Sequence, residues 1–275
     1  MLGINTNVPS LTAQKNLGAS SQSINTSIAR LSSGLRINSA RDDAAGLAIA
    51  TRMSSDIRGS EVAKRNTNDG ISALQIADGA LSTVTDNVQR MRELAVQAAT
   101  GTLTTDDRAN LNAEFTQLAD QIESVTMNTK FNGVNLLTAA AAGSPLSVQT
   151  GSASADKTNV TLVNGEAVST ALNAAGFDLT TAANATSAIT TLDTQLTALN
   201  TGRATLGAGI NRLDAVVANL DTTVTNVSAA RGRIMDADFA KETANLTRTQ
   251  ILQQAGTAML AQANQLPNNV LSLLR

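Results

Sequence analysis

A mainly α protein, a long coiled-coil-like helical bundle with a small β-hairpin region, is the fold class this sequence predicts. Three observations carry the prediction. Apolar residues recur at heptad spacing through several long segments. The chain has four Phe and no Trp or Tyr, so its apolar residues are mostly Ala, Leu, Val and Ile, which suit helices packed side by side. Between residues 138 and 182 the heptads vanish, and Ala, Gly, Ser and Thr dominate.

The first helix is marked by Leu17, Ile24 and Leu31 at heptad spacing, with Ile28 and Leu35 on the same apolar face. A Gly- and Ser-containing stretch from Ser32 to Gly46 follows. The second helix carries Leu74, Leu81, Val88 and Ala95 at one heptad position and Ala77, Val84, Met91 and Ala98 at its partner, which together form an a/d seam. Gly101 ends it, and Thr104-Thr105-Asp106-Asp107 reads as an N-cap with acids in the first helical turn. Leu111, Phe115, Leu118, Ile122 and Val125 mark a third helix, closed by the turn signal Phe131-Asn132-Gly133.

In the region without heptads, short strands are expected around Leu146–Gln149, Asn159–Val163 and Glu166–Val168. Val163-Asn164-Gly165-Glu166 offers a type I′ hairpin turn between the last two. The longest seam follows. Ile189, Leu192, Leu196, Leu199, Arg203, Leu206, Ile210, Leu213, Val217, Leu220, Val224 and Val227 fill twelve successive a/d slots, and Arg203 alone breaks the apolar stripe. Its side chain either snorkels along the seam, the preferred reading, or fixes register against an acid on a partner helix. Leu252, Met259, Leu266 and Leu273 repeat the heptad theme in the last segment.

The two ends share an oddity. Residues 2–29 carry one charged side chain, Lys15, and residues 243–274 carry one, Arg248. An exposed monomeric helix normally surrounds itself with charge. Two charge-poor amphipathic helices at opposite ends of the chain are therefore expected to pair with each other and with neighbouring copies. They are expected to order on assembly.

Composition narrows the function classes. With 20 Lys+Arg against 22 Asp+Glu and a pI near 5.2, no basic stripe for nucleic acid is present. The chain has no His and no Cys, which removes the usual ligands of zinc and copper, the usual general base, the thiol nucleophile and any disulfide. The acid pairs Asp42-Asp43, Asp106-Asp107 and Asp236/Asp238 read as helix caps or surface residues. Gly207-Ala208-Gly209 lacks the third glycine of a dinucleotide fingerprint and reads as close packing or a local weakness of its helix. No catalytic, metal-binding or cofactor-binding residue is therefore expected, and the protein is not expected to be an enzyme. The N-terminus shows no cleavable signal, and no run approaches the roughly 20 apolar residues of a membrane helix. Composition alone thus reads as cytoplasmic.

Longer motifs change that reading. RLSSGLRINSARDDAAGLAIATRM (30–53), RNTNDGIS (65–72), QIADGAL (75–81), QRMRELAVQA (89–98) and FNGVNLL (131–137) resemble the N-terminal signature of bacterial flagellins. LGAGINRL (206–213), RIMDADFAKE (233–242) and QILQQAGTAMLAQANQLPNNVLSLL (250–274) are similar to the C-terminal one. The resemblance covers roughly residues 1–137 and 185–275. Only about 45 residues lie between these blocks, which implies a short form without large outer variable domains.

The resemblance implies a structural subunit that self-polymerises into the extracellular flagellar filament used for swimming. A hook–filament junction protein is the alternative. Residues 1–44 with 232–275 would form the filament core and residues 45–231 the helical rod. Leu17, Ile24, Ile28, Leu31, Leu35, Leu252, Met259, Leu266 and Leu273 would be its assembly residues. Type III export, an export chaperone, flagellar cap and hook-junction proteins, and a host innate flagellin receptor are the implied partners. The resemblance assigns receptor recognition and subunit contact to Gln89, Arg90, Glu93, Leu94 and Glu114. The heptad frame adds that Arg90, Glu93 and Leu94 point away from the seam.

Overall fold

Residues 6–174 and 177–272 are described by the structure, a computed structural model, with the side chains of 266–272 excepted. Leu273 and the side chain of Leu266 lie outside the described residues. The helices are α1 (Val8–Ser33), α2 (Ala44–Ala98), α3 (Thr105–Asn128), α4 (Ala139–Gly143), α5 (Gly165–Leu172), α6 (Ala182–Met235) and α7 (Phe239–Ser272). Strands β1 (Lys130–Phe131) and β2 (Val134–Asn135) pair antiparallel, as do β3 (Leu146–Gln149) and β4 (Lys157–Val160). Mainly α with small hairpins is thus the observed class. Two compact units result, Met1–Asp56 with Thr225–Arg275, and Ile57–Val224.

In the second unit the heptad seams form the core. Leu74, Ala77, Leu81, Val84, Val88, Met91, Ala95 and Ala98 of α2 are fully buried, against Phe115 and Ile122 of α3 and Leu192, Leu199, Leu206 and Leu213 of α6. The start of α3 is a capping box. Thr104 Oγ1 accepts from Asp107 N–H at 3.3 Å, while the Asp107 carboxylate accepts from Thr104 N–H at 3.0 Å. Arg108 closes the preceding connection. Its guanidinium donates to the carbonyls of Ala98, Thr100 and Leu103 at 2.8–3.0 Å, satisfying the open C-terminus of α2.

The β region departs from expectation at β4, at Glu166–Val168 and in the β1–β2 hairpin, which lies ahead of residue 138. Strand β3 lies where the sequence places it, and β4 starts and ends a little earlier than predicted. The expected strand at Glu166–Val168 is instead the first part of α5. Asn164 caps that helix, its Oδ1 accepting from Ala167 N–H at 3.1 Å, and Glu166 sits favourably in the first turn. Gly165 lacks the positive φ that a type I′ turn demands. That conformation belongs to the other Asn-Gly pair, Asn132 (φ 47°) and Gly133 (φ 81°), which joins β1 to β2.

The first unit holds the chain's two ends. Helix α1 starts at Asn7, whose Oδ1 accepts from Ser10 N–H at 3.1 Å, and stops at Gly34 in the left-handed conformation (φ 72°). Gly34 and its neighbours pair with the segment between α6 and α7. Arg36 N–H donates to Met235 O, and Ala237 N–H donates to Gly34 O at 2.9 Å. Ile37 is the largest fully buried side chain described in this unit.

Candidate functional site

Helices α1 and α7 pair antiparallel, as the charge-poor ends led one to expect. Polar contacts fix the alignment. At one end Asn7 Nδ2 donates to Ala263 O and Ser10 Oγ to Asn264 Oδ1, both at 2.8 Å. At the other, the Ser27 hydroxyl donates to Glu242 Oε1 at 2.5 Å, and Arg30 stands 3.8 Å from the same carboxylate. Neither the Ser27 nor the Glu242 contact is signalled by periodicity, because both partners are polar residues on faces that the heptads leave undefined.

The pairing leaves much apolar surface in the open. Leu17, Ile24, Leu31 and Leu35 are half-buried, while Ile28, Leu252 and Met259 are 51%, 52% and 64% exposed. Val8, Leu11 and Ile251 are more than half exposed as well. A groove of about 720 Å³ runs along the pair, lined among others by Pro9, Ala13, Leu17, Leu252 and Met259. Apolar side chains thus stand open to solvent along both helices of the pair.

The second unit brings together the polar members of the predicted recognition patch. Arg90 Nε donates to Glu114 Oε1 and Arg90 Nη1 to Glu93 Oε2, each at 2.9 Å. The Glu114 hydrogen bond, then the Glu93 one, holds the Arg90 guanidinium pKa above its ordinary value. Gln89 is exposed beside them. Leu94 corrects the expectation of an outward side chain, because it is 1% exposed and belongs to the core. The heptad frame assumes one partner for α2, whereas α3 and α6 both pack on it. The column beside the seam is covered too, with Ala73 and Leu94 buried and Ala80 and Asn87 half-buried.

Arg203 also differs from the preferred reading. It does not snorkel but pairs with Asp78 of α2, Nε to Oδ1, at 2.8 Å. That hydrogen bond is the main cause of its raised pKa. Of the two readings of Gly207-Ala208-Gly209, close packing holds at Gly209 and not at Gly207. A Cβ on Gly209 would lie 2.6 Å from Val160 Cγ1 and one on Gly202 2.7 Å from Val163 Cγ1, so both are seats for the β3–β4 region. Gly207 faces open space.

Among the described residues, no helix is long and apolar enough to cross a membrane. Residues 4–142 match the bacterial flagellin N-terminal helical region, and residues 189–274 match the bacterial flagellin C-terminal helical region. The chain is 47% identical to a flagellin of Halalkalibacterium halodurans and 41% identical to flagellin FlaB2 of Treponema pallidum, covering 99% of both partners in each case. The crystal structure of Bacillus cereus flagellin superimposes with a TM-score of 0.52 at 35% identity, over 61% of this chain and 94% of that one. Identity along the whole length favours a filament subunit over a hook-junction protein. With its paired terminal helices and their open apolar face, the chain belongs to the bacterial flagellin family, as a short member without a variable domain: a structural, non-enzymatic subunit that self-assembles into the extracellular flagellar filament.

Proposed function

We propose that polymerisation runs through the α1–α7 pair, with Leu17, Ile24, Ile28, Leu31, Leu35, Leu252 and Met259, and beyond them Leu266 and Leu273, as the assembly residues. The observation that carries this reading is the exposed apolar face of two helices that carry almost no charge. Packing that face against other copies buries area that water otherwise covers, at about 25 cal/mol per Å². Residues 1–44 with 232–275 then act as the assembly domain and 45–231 as the rod domain. The export chaperone, the cap and the hook-junction proteins are partners of the same filament pathway.

The test uses residues that are exposed in the single chain. Leu252→Asp and Met259→Asp leave the fold intact and abolish or strongly slow filament growth, followed by sedimentation and electron microscopy. Filaments of normal length from both variants sink the proposal. Deleting 1–35 or 240–275 has the same effect on growth and leaves a soluble, folded remainder.

A second reading concerns Gln89, Arg90, Glu93, Leu94 and Glu114. The exposed Arg90–Glu93–Glu114 cluster supports its assignment as the surface contacted by neighbouring subunits and by a host innate receptor. Arginine is a frequent maker of interface hot spots. Leu94 then acts from beneath, by holding the α2 turn that presents Arg90.

A further inference from the structure

Helices α2 and α6 are joined at three levels by salt bridges of alternating sense. Lys64 Nζ meets Asp221 Oδ1 at 2.6 Å, Asp78 Oδ1 meets Arg203 Nε at 2.8 Å, and Arg92 Nε meets Asp193 Oδ1 at 2.6 Å. Along α2 the three positions are spaced by fourteen residues, two heptads, and their signs run plus, minus, plus. Along α6 they run minus, plus, minus, in the reverse order of an antiparallel pair, spaced by eighteen and ten residues. All six side chains are between 34% and 54% exposed, so each rung by itself adds little to stability.

The apolar seam beside them leaves the register ambiguous. On α6, Leu192, Leu199, Leu206, Leu213 and Leu220 repeat one side chain at every heptad. On α2, Leu74, Leu81 and Val88 do nearly the same. Displacing one helix along the other by whole heptads replaces leucine with leucine, so burial alone discriminates weakly between the native pairing and its slipped relatives.

We infer that the alternating charges of α2 and α6 are a register lock, which lets the native pairing form and makes pairings slipped by two heptads repulsive. Moving α6 fourteen residues one way brings Asp221 to within about one turn of the place Arg203 holds beside Asp78, and Arg203 equally close to the place Asp193 holds beside Arg92. Moving it the other way brings Arg203 to within about one turn of Asp221's place beside Lys64, and Asp193 equally close to Arg203's place beside Asp78. Each overlapping rung then sets like charges within about one helical turn of each other, in either direction. A one-heptad slip instead lays the Asp78 carboxylate against Leu196 or Ile210. The ladder discriminates among registers in the way charged flanks of coiled coils do.

A second, independent feature shows why register matters. The β3–β4 hairpin spans both helices and is seated on a glycine of each. A Cβ on Gly70 of α2 would lie 2.8 Å from Val148 of β3, and a Cβ on Gly209 of α6 would lie 2.6 Å from Val160 of β4. The two seats are side by side only in the native register. A slip of fourteen residues carries one seat about 21 Å from the other, far beyond what two paired four-residue strands can follow.

The charge swap Asp78→Lys with Arg203→Asp separates register from stability. It keeps every native rung oppositely charged, but α2 becomes positive and α6 negative along the whole ladder, so slipped pairings become attractive too. The chain has no cysteine, so spin labels on Thr83→Cys of α2 and Thr201→Cys of α6, both exposed, report the pairing alone. The full chain is refolded from denaturant at low salt, frozen at successive times and measured by dipolar spectroscopy. The parent shows one distance. The swap shows a second population, displaced along the helix axis by about 21 Å, with a slipped fraction of order tenfold above the parent's. A swap with the parent's single distance and time course overturns the inference. If the swap does not fold, the parent itself decides: in about 1 M salt, where the Debye length is about 3 Å, its slipped fraction must rise, and an unchanged fraction overturns the inference equally.

Discussion

Ser27 and Glu242 stand 215 residues apart in the chain and meet in a buried hydrogen bond, Ser27 Oγ donating to Glu242 Oε1 at 2.5 Å. Glu242 is 8% exposed and lies in the first turn of α7, so the serine hydroxyl supplies what water no longer can. Ser27→Ala leaves a buried carboxylate short of a donor and should cost about 1–3 kcal/mol. Glu242→Gln keeps an acceptor for Ser27 and gives up only the long approach to Arg30, so it should cost less. Thermal melting of filaments followed by circular dichroism gives the order. A larger loss for Glu242→Gln would assign the stabilisation to charge instead.

The Arg90–Glu114 contact makes a prediction of opposite kind. Both side chains are about half exposed, so Arg90→Ala and Glu114→Ala should leave the melting temperature of the monomer nearly unchanged. The same substitutions should reduce receptor signalling by depolymerised protein at least tenfold, the equivalent of about 1.4 kcal/mol. Leu94→Ala should weaken signalling and stability together, since it opens a cavity at a cost of about 2–5 kcal/mol. Signalling at the parent level from both Arg90→Ala and Glu114→Ala would remove the patch from consideration.

The three glycines of the α6 middle should separate. Gly207→Ala meets nothing within 4 Å and should stabilise the helix by up to about 1 kcal/mol. Gly209→Ala must push Val160, a stiff and buried side chain, and should lose about 1–3 kcal/mol against that gain. Gly202→Ala crowds Val163 in the same way. Denaturant titration of the three single variants reports the signs. Equal behaviour of Gly207→Ala and Gly209→Ala would contradict the seating of the hairpin.

Acid should loosen three carboxylate-held turns together. Backbone N–H of Ser39 on Asp42, the Thr104 hydroxyl on Asp107 and the Asn184 amide on Asp178 each lead the causes that hold these carboxylates below the ordinary 3.8. A depressed folded-state pKa stabilises above the unfolded value and stops doing so as the pH falls through the folded one. Stability from these groups should therefore be level from neutral pH down to about 5 and decline below about 4. Asp107→Asn should flatten part of that decline, as seen in urea midpoints measured at successive pH values.

What the sequence determined by itself is local. A helix repeats its faces every three or four residues, so the seams of α2, α3 and α6, the Thr104 cap and strand β3 can be read from short stretches of chain. The unusual poverty of charge at both ends likewise foretells a paired, self-associating surface. The tertiary structure decided whatever needs a partner remote in sequence. Of two Asn-Gly pairs with the same turn propensity, Asn132-Gly133 forms the hairpin. Asn164-Gly165 opens a helix, because Val168 and Leu172 of α5 are buried there rather than exposed on a strand. Leu94 carries no mark distinguishing it from an outward leucine until α3 and α6 both cover α2. Arg203 has a partner only once antiparallel packing brings Asp78 alongside, 125 residues away. Heptad periodicity encodes that a face will be buried, while the identity of its neighbours, and the register in which they meet, depends on charges and glycine seats that act only after distant segments have come together.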